Sequence, residues 1–134
     1  MDYHLGRLVD HVHIRVADPA AAKRFYAAVL KALGRDLQEK GPYLHFDEFY
    51  ISADGPPTAK LHLAFQAGDR AAVERFHREG LEAGGRDNGA PAERRYHPGY
   101  YAAYLFDPDG NNIEAVYHGP STRSAASVLV TPGK

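Results

Sequence analysis

The chain has 134 residues, a formal net charge of -1 and no cysteine. This length is typical of one domain and allows a core without disulfides, so we expect a single domain over residues 1–134. The charge balance argues against nucleic acid and anionic membranes as partners. No apolar stretch could span a bilayer and residues 1–4 do not resemble a signal peptide, so we expect a cytoplasmic protein.

The chain contains an internal repeat. Residues 11–36 align without a gap with residues 62–87, at an offset of 51, and 11 of the 26 pairs are identical. Unrelated segments would share about two. The repeat predicts two copies of one structural unit, module 1 over residues 8–54 and module 2 over residues 60–118, followed by a tail over residues 119–134.

Module 1 is predicted to begin with a strand over residues 11–16, because apolar and polar residues alternate there. Its apolar face carries Val12, Ile14 and Val16, and its polar face carries His11, His13 and Arg15. Asp18 and Pro19 predict the start of a helix that ends at Gly34 and covers the apolar face. Short strands are predicted near residues 36–40, 43–46 and 48–52, and residues 53–57 form a linker.

Module 2 repeats this order. A strand over residues 61–66 places His62 opposite its apolar face, and Asp69 starts a helix that ends at Gly84 and Gly85. We expect a loop rich in glycine and proline over residues 88–99, a strand over 100–106, a turn over 107–110 and a last strand over 111–117. In the tail, the apolar residues 128–130 indicate either an added edge strand or an ordered arm.

These patterns favour an α+β fold, in which two tandem βαβββ modules form a curved mixed sheet around a metal cleft and the helices lie on the outer face. As repeat equivalents, His11 and His62 would face each other, and alternation on the last strand would point Glu114 into the same cleft. Because thiolates are absent, a metal would need imidazole and oxygen ligands. Two imidazoles and one carboxylate leave coordination positions open for substrate oxygen.

Each histidine also has a plainer interpretation. A single histidine on a strand is more often a hydrogen-bonded core or surface residue than a ligand, and only the repeat register distinguishes His11 and His62. His13 shares a face with His11 and is expected to contact substrate, with ligation as the alternative. Four further histidines are interpreted as surface or packing residues: His4, His45, His77 and His118.

Three segments resemble the vicinal oxygen chelate superfamily, which includes glyoxalase I, fosfomycin-resistance thiol transferases, extradiol dioxygenases and metal-free bleomycin-binding proteins. They are residues 10–12 with Phe25 and Tyr26, residues 62–65, and residues 107–114. The resemblance implies paired βαβββ modules, His11, His62 and Glu114 as metal ligands, and a homodimer. Residues 85–91 and 96–101 are similar to a glyoxalase-like bacterial subgroup.

The sequence also departs from this pattern. Glyoxalase I has a fourth ligand, a glutamate on the last strand of the first module, and Glu48 lies too early in the chain to be its equivalent. Tyr104 occupies the position of a functional tyrosine in extradiol dioxygenases and fosfomycin transferases. It would donate a hydrogen bond to an oxyanion or form an aromatic wall. His97 and Arg95 are candidates for an acid and an anion clamp.

The expected function is that of a glyoxalase-like lyase or isomerase, in which Zn, Mn, Ni or Fe binds the vicinal oxygens of a small substrate. The predicted catalytic residues are Tyr104 and His97, and the predicted substrate pocket consists of His13, Arg15, Tyr100 and Asn112. Two alternatives remain open at this stage. One is an Fe(II) extradiol dioxygenase, and the other is a metal-free binding or resistance protein. A thiol transferase is disfavoured, because no basic phosphonate pocket is evident.

Overall fold

The computed structural model describes residues 2–133. Module 1 consists of β1 (Val12–Arg15), α1 (Pro19–Ala32), β2 (Gln38–Lys40), β3 (Tyr43–Phe46) and β4 (Phe49–Ser52). Module 2 consists of β5 (His62–Gln66), α2 (Arg70–Glu82), β6 (Arg86–Glu93), β7 (Tyr101–Phe106) and β8 (Asn112–Tyr117). The predicted fold class, α+β with two tandem βαβββ modules, is confirmed.

Each module forms its own four-stranded mixed sheet. The strand orders are β1-β4-β3-β2 and β5-β8-β7-β6, so the first strand of each module pairs in parallel with the last strand and the other pairs are antiparallel. β1 and β5 each lie at the end of their own sheet. No backbone ladder joins the two sheets within residues 2–133, so one chain does not bring its two leading strands side by side.

Both helices begin after the predicted N-cap residues, and they end at Ala32 and Glu82, shortly before the predicted glycines. The Asp18 side chain accepts hydrogen bonds from the amides of the first turn of α1, and Asp69 accepts one from Ala72 in α2. Gly34 and Gly84 follow the helices with φ of +80° and +99°. This left-handed conformation favours glycine and ends each helix.

The apolar faces of the sheets and helices form one core that includes residues of both modules. Ile14 of β1, Phe25 of α1, Phe76 of α2 and Ile113 of β8 are all fully buried in it. α1 packs against α2 at Gly80, where an added Cβ would lie 2.9 Å from Val29. The modules therefore meet within a chain through their helices, and the polar faces of the two sheets stay available.

The prediction of a loop over residues 88–99 was partly wrong, because residues 86–93 form β6. The glycine and proline in this segment are tolerated because β6 is an edge strand. Its pairing with β7 shifts register on both sides of Gly89. Such irregularities leave residues outside the ladder, so Pro91 can lie in a strand without an N–H to donate.

The tail makes no strand within the described residues, so the interpretation of residues 128–130 as an added edge strand was wrong. Val128, Leu129 and Val130 are largely exposed. Among residues 2–133, no helix has the length and apolar character needed to cross a bilayer.

Candidate metal centre

Glu114 is a buried carboxylate in the middle of β8. Its neighbours Ile113 and Ala115 point into the core, as strand alternation requires, and Glu114 faces the other way. It is nevertheless only 1% exposed. Since a buried charge is costly unless it is paired or hydrogen-bonded, the groups around Glu114 determine what this position can do.

Both carboxylate oxygens of Glu114 have a protein partner. His62 Nε2 lies 2.8 Å from Oε1, and the Tyr100 hydroxyl donates to Oε2 at 2.5 Å. The parallel pairing of β5 with β8 sets this arrangement, because it places His62 beside Asn112, two residues before Glu114. The His62 side chain is 55% exposed. The site therefore joins a buried carboxylate to an imidazole nitrogen that solvent reaches.

Two tyrosines next to Glu114 stay protonated at neutral pH. Tyr104 lies opposite Glu114 in the β7–β8 ladder. Desolvation, followed by the charge of Glu114, raises the pKa of Tyr104 to about 12. Desolvation, followed by the hydrogen bond to Glu114 and the charge of Glu114, raises the pKa of Tyr100. Both hydroxyls are thus hydrogen-bond donors beside the carboxylate.

The donor types of this pair fit a divalent cation. Imidazole nitrogen and carboxylate oxygen are the ligands that zinc, manganese and iron accept in the absence of thiolates. Within residues 2–133, no three histidine, aspartate or glutamate side chains come together as a metal-binding group. One chain therefore supplies two of the three predicted ligands, His62 and Glu114.

His11, the third predicted ligand, lies in module 1 just before β1. Its Nδ1 is 2.6 Å from Asp10, its ring packs edge-on against Tyr50 at a centroid distance of 6.0 Å, and its side chain is 59% exposed. These contacts belong to the first sheet, whereas His62 and Glu114 belong to the second. The structure of a single chain does not bring His11 to the pair.

The four predicted pocket residues also lie in two groups. In the first sheet, His13 Nε2 lies 2.7 Å from the Ser52 hydroxyl, and Arg15 Nε donates to Asp54 at 2.8 Å. In the second sheet, Tyr100 bonds to Glu114, and the Asn112 side-chain oxygen accepts from Asn88 at 3.1 Å. Only the second group lies beside the metal-binding pair in one chain.

His97 reaches the site through other residues. Its Nε2 lies 2.8 Å from Nδ1 of His118, and the two rings are stacked. Both rings pack edge-on against Tyr100. Burial, assisted by His97, lowers the pKa of His118. His118 is thus a packing residue, as the sequence indicated, but it packs against a residue of the site.

A cavity of about 370 Å³ opens beside Tyr104. Its lining residues are Asn88, Glu93, Arg94, Arg95, Tyr96 and Tyr104. Among them, Arg95 and Tyr104 were singled out from the sequence. Asn88 and Arg94 were missed because the sequence predicts a loop over residues 88–99, in which side-chain directions cannot be assigned. The adjacent arginines Arg94 and Arg95 are the sequence signal that points to this cavity.

The comparisons with known proteins agree with this fold. The sequence profile of the Glyoxalase/Bleomycin resistance protein/Dioxygenase superfamily matches residues 8–115. The chain therefore belongs to this superfamily, and the resemblance seen in the sequence is confirmed. A comparison with curated proteins finds no match.

Several solved structures are similar to the chain. A glyoxalase/bleomycin resistance protein from Albidiferax ferrireducens T118 is 30% identical, with a TM-score of 0.67 over 81% of this chain and 97% of that one. The oxidase ChaP-H1 is 26% identical, with a TM-score of 0.58 over 83% and 95% of the two chains. A V278E mutant of glyoxalase I from Zea mays is 20% identical, with a TM-score of 0.57 over 83% of this chain and 44% of that one.

Proposed function

We propose that the protein is a divalent-metal-dependent enzyme of glyoxalase type, which acts as a lyase or isomerase on a small substrate with vicinal oxygens. The observation that carries this proposal is the contact between His62 and the buried Glu114. A divalent cation would compensate the charge of this buried carboxylate, and the exposed imidazole beside it supplies a second ligand that a cation reaches from solvent. The cation is Zn, Mn, Ni or Fe.

The third ligand, His11, comes in this proposal from a second copy of the chain. His11 is exposed and lies in the other sheet. Since a twofold pair repeats every contact, a homodimer that brings His11 of one copy to His62 of the other forms two equivalent sites. Two imidazoles and one carboxylate leave open positions for the substrate oxygens.

The chain's own residues define how the substrate is held. A bound divalent cation would polarise substrate oxygens and stabilise negative charge that develops on them. The Tyr100 hydroxyl donates its hydrogen bond to Glu114, so it keeps the carboxylate oriented. Tyr104 lies on the same site and stays protonated, so its hydroxyl can donate a hydrogen bond to a substrate oxyanion. His97 is one residue removed from the carboxylate, behind Tyr100.

Metal content after purification without tag or chelator tests the proposal. We expect near-stoichiometric divalent metal in the wild type and loss of metal in His62→Ala, Glu114→Gln and His11→Ala. His77→Ala is the matched control, because His77 bonds to Asp87 on the helix side of the sheet. A wild-type protein that neither contains nor takes up metal would refute the proposal and favour a metal-free binding protein.

Mixing two inactive variants tests whether the site is shared. His11→Ala and His62→Ala homodimers would each lack a ligand in both sites. Random exchange of subunits would give heterodimers with one intact site, so about a quarter of all sites would recover metal. Recovery would be absent if all three ligands came from the same chain. Sedimentation of the wild type at micromolar concentration, where we expect a dimer, accompanies this experiment.

Ring-cleaving oxygenation is the second candidate, and two observations favour it. β4 presents Tyr50 and Ser52 on the side of His13, so this strand offers no fourth carboxylate ligand of the kind that isomerisation uses as a base. The chain is also 26% identical to an oxidase, ChaP-H1. Anaerobic loading with Fe(II) followed by a panel of catechols and oxygen-uptake measurement tests it. No uptake with any catechol would exclude this candidate.

A further inference from the structure

We propose that the cavity beside Tyr104 binds a carboxylate group of the substrate through Arg94 and Arg95. This inference rests on the proposed function, because it names the substrate class of the same site. Tyr104 connects the two, since it lines the cavity and lies opposite Glu114 in the β7–β8 ladder. A substrate whose oxygens bind a cation held by His62 and Glu114 would therefore extend past Tyr104 towards the two arginines.

Arg94 is held in place mainly by uncharged groups. Its Nη2 donates to the carbonyl oxygens of Ala90 and Ala102, and its guanidinium lies over the ring of Tyr104, 5.1 Å from the ring centre. Its Nε is buried and has no hydrogen-bond partner within residues 2–133. The positive charge is thus fixed against the cavity wall, while Nε is shielded from a ligand as it is from solvent.

Neither arginine of the cavity pairs with a carboxylate of the described chain. Arg15 pairs with Asp54 and Arg70 pairs with Glu93, but no such ion pair is made by Arg94 or Arg95 within residues 2–133. Two unpaired guanidinium groups on the wall of one cavity attract an anion. A guanidinium also matches the planar, two-oxygen geometry of a carboxylate.

The lining of the cavity carries an excess of positive charge. It contains two positive side chains, Arg94 and Arg95, and one negative side chain, Glu93, whose charge is compensated by Arg70. A carboxylate is attracted by the two guanidinium groups. The neutral residues Asn88 and Tyr96 complete the lining with hydrogen-bonding groups.

Gly89 makes room for this arrangement. An added Cβ at Gly89 would lie 2.9 Å from Cδ2 of Tyr104 and 3.3 Å from Nη2 of Arg94. Its φ of +151° is also one that side-chain-bearing residues rarely adopt. The absence of a side chain at this bulge therefore leaves room for the Arg94 guanidinium over the ring of Tyr104.

The test uses benzoate as the probe and benzamide as its neutral match, added to metal-free, ¹⁵N-labelled full-length protein. Nitrogen-proton spectra follow the arginine Nε–H signals. We expect benzoate, but not benzamide, to shift the Arg94 signal, and we expect binding to weaken roughly tenfold in Arg95→Gln and in Arg94→Gln. Arg86→Gln is the control. Arg86 is the first residue of β6, the strand that Arg94 follows, and its guanidinium also lies over an aromatic ring of β7, Phe106, but it does not line the cavity.

Arg95→Gln keeps the test valid if Arg94→Gln loses the bonds that hold its loop. Equal binding of benzoate and benzamide, or equal weakening in Arg86→Gln, would overturn the proposal. Tighter binding of phenyl phosphate than of benzoate would overturn the assignment to a carboxylate. Metal content measured on the same samples separates the two proposals. Protein that binds benzoate but no metal contradicts only the metal site, and protein that binds metal but not benzoate contradicts only the anion site.

Discussion

The hydroxyl of Tyr26 in α1 donates a 2.5 Å hydrogen bond to Oδ2 of Asp107, in the turn between β7 and β8. Both groups are buried, and Asp107 also accepts from the amides of Asp109 and Asn111. The bond ties the helix of module 1 to the turn that precedes the strand of Glu114. It therefore couples the packing of the modules to the position of the site.

Tyr26→Phe should lower the free energy of unfolding by about 1–3 kcal/mol, because it removes one of the two donors, Tyr26 and Asn111, to a buried carboxylate oxygen. Urea denaturation measures this change. Tyr43→Phe is the control, since the Tyr43 hydroxyl makes no hydrogen bond within residues 2–133, and it should unfold like the wild type. Equal stability of Tyr26→Phe and the wild type would contradict the structural role of the bond.

Gly80→Ala should destabilise the protein although alanine favours helices by about 1 kcal/mol over glycine. The added Cβ would lie 2.2 Å from Leu105 and 2.9 Å from Val29, both in the closed core. Overpacking of this kind costs about 1–3 kcal/mol. Thermal unfolding compares it with Gly68→Ala, where the new Cβ would meet nothing within 4 Å. A stabilised Gly80→Ala variant would contradict the close packing of α2 against Leu105 and Val29.

Deprotonation of Tyr104 should make the stability of the fold depend on pH in the alkaline range. Its pKa of about 12 lies above the ordinary value of 10.0, so the folded state holds this proton more tightly than the unfolded state. The resulting stability is complete below pH 10 and is lost as the pH rises towards 12. Alkaline unfolding of Tyr104→Phe should therefore show a smaller loss over this range. An unchanged loss would mean that Tyr104 titrates normally.

His118 should titrate below the ordinary value of 6.5, because burial and His97 disfavour its charged form. Its folded pKa is lowered, so stability is complete above pH 6.5 and falls as the pH drops through the range below it. Proton NMR of the imidazole measures the midpoint. His97→Ala should raise the pKa of His118, because it removes the charge of His97 and part of the burial. An unchanged midpoint would show that His97 does not affect the titration of His118.

The repeat made much of the fold predictable. Local features depend on neighbouring residues in the chain, so they can be predicted from the sequence. They include the helix caps at Asp18 and Asp69 and the alternation around Ile14 and Glu114. β6 was not predictable in this way, because whether Pro91 is tolerated depends on its strand being at the edge of a sheet. That edge position is a property of the tertiary fold.

The site was predictable only within a module. His62 and Glu114 meet because β5 and β8 pair within module 2. The place of His11 depends on how whole modules associate, which strand periodicity does not encode. Likewise, the register between β6 and β7 is irregular around Gly89. A regular alternation of residues therefore does not predict that Arg94 lines the cavity. The extent of the domain, residues 1–134, stays a prediction.

The outer edges of the two sheets affect how the chain behaves at high concentration. β2 is three residues long and carries Glu39 and Lys40, and β6 carries Pro91 and an irregular register. Short, charged or bulged edge strands resist the addition of strands from other molecules. Copies of the chain are thereby hindered from polymerising through these two edges, which leaves closed assemblies favoured over fibres.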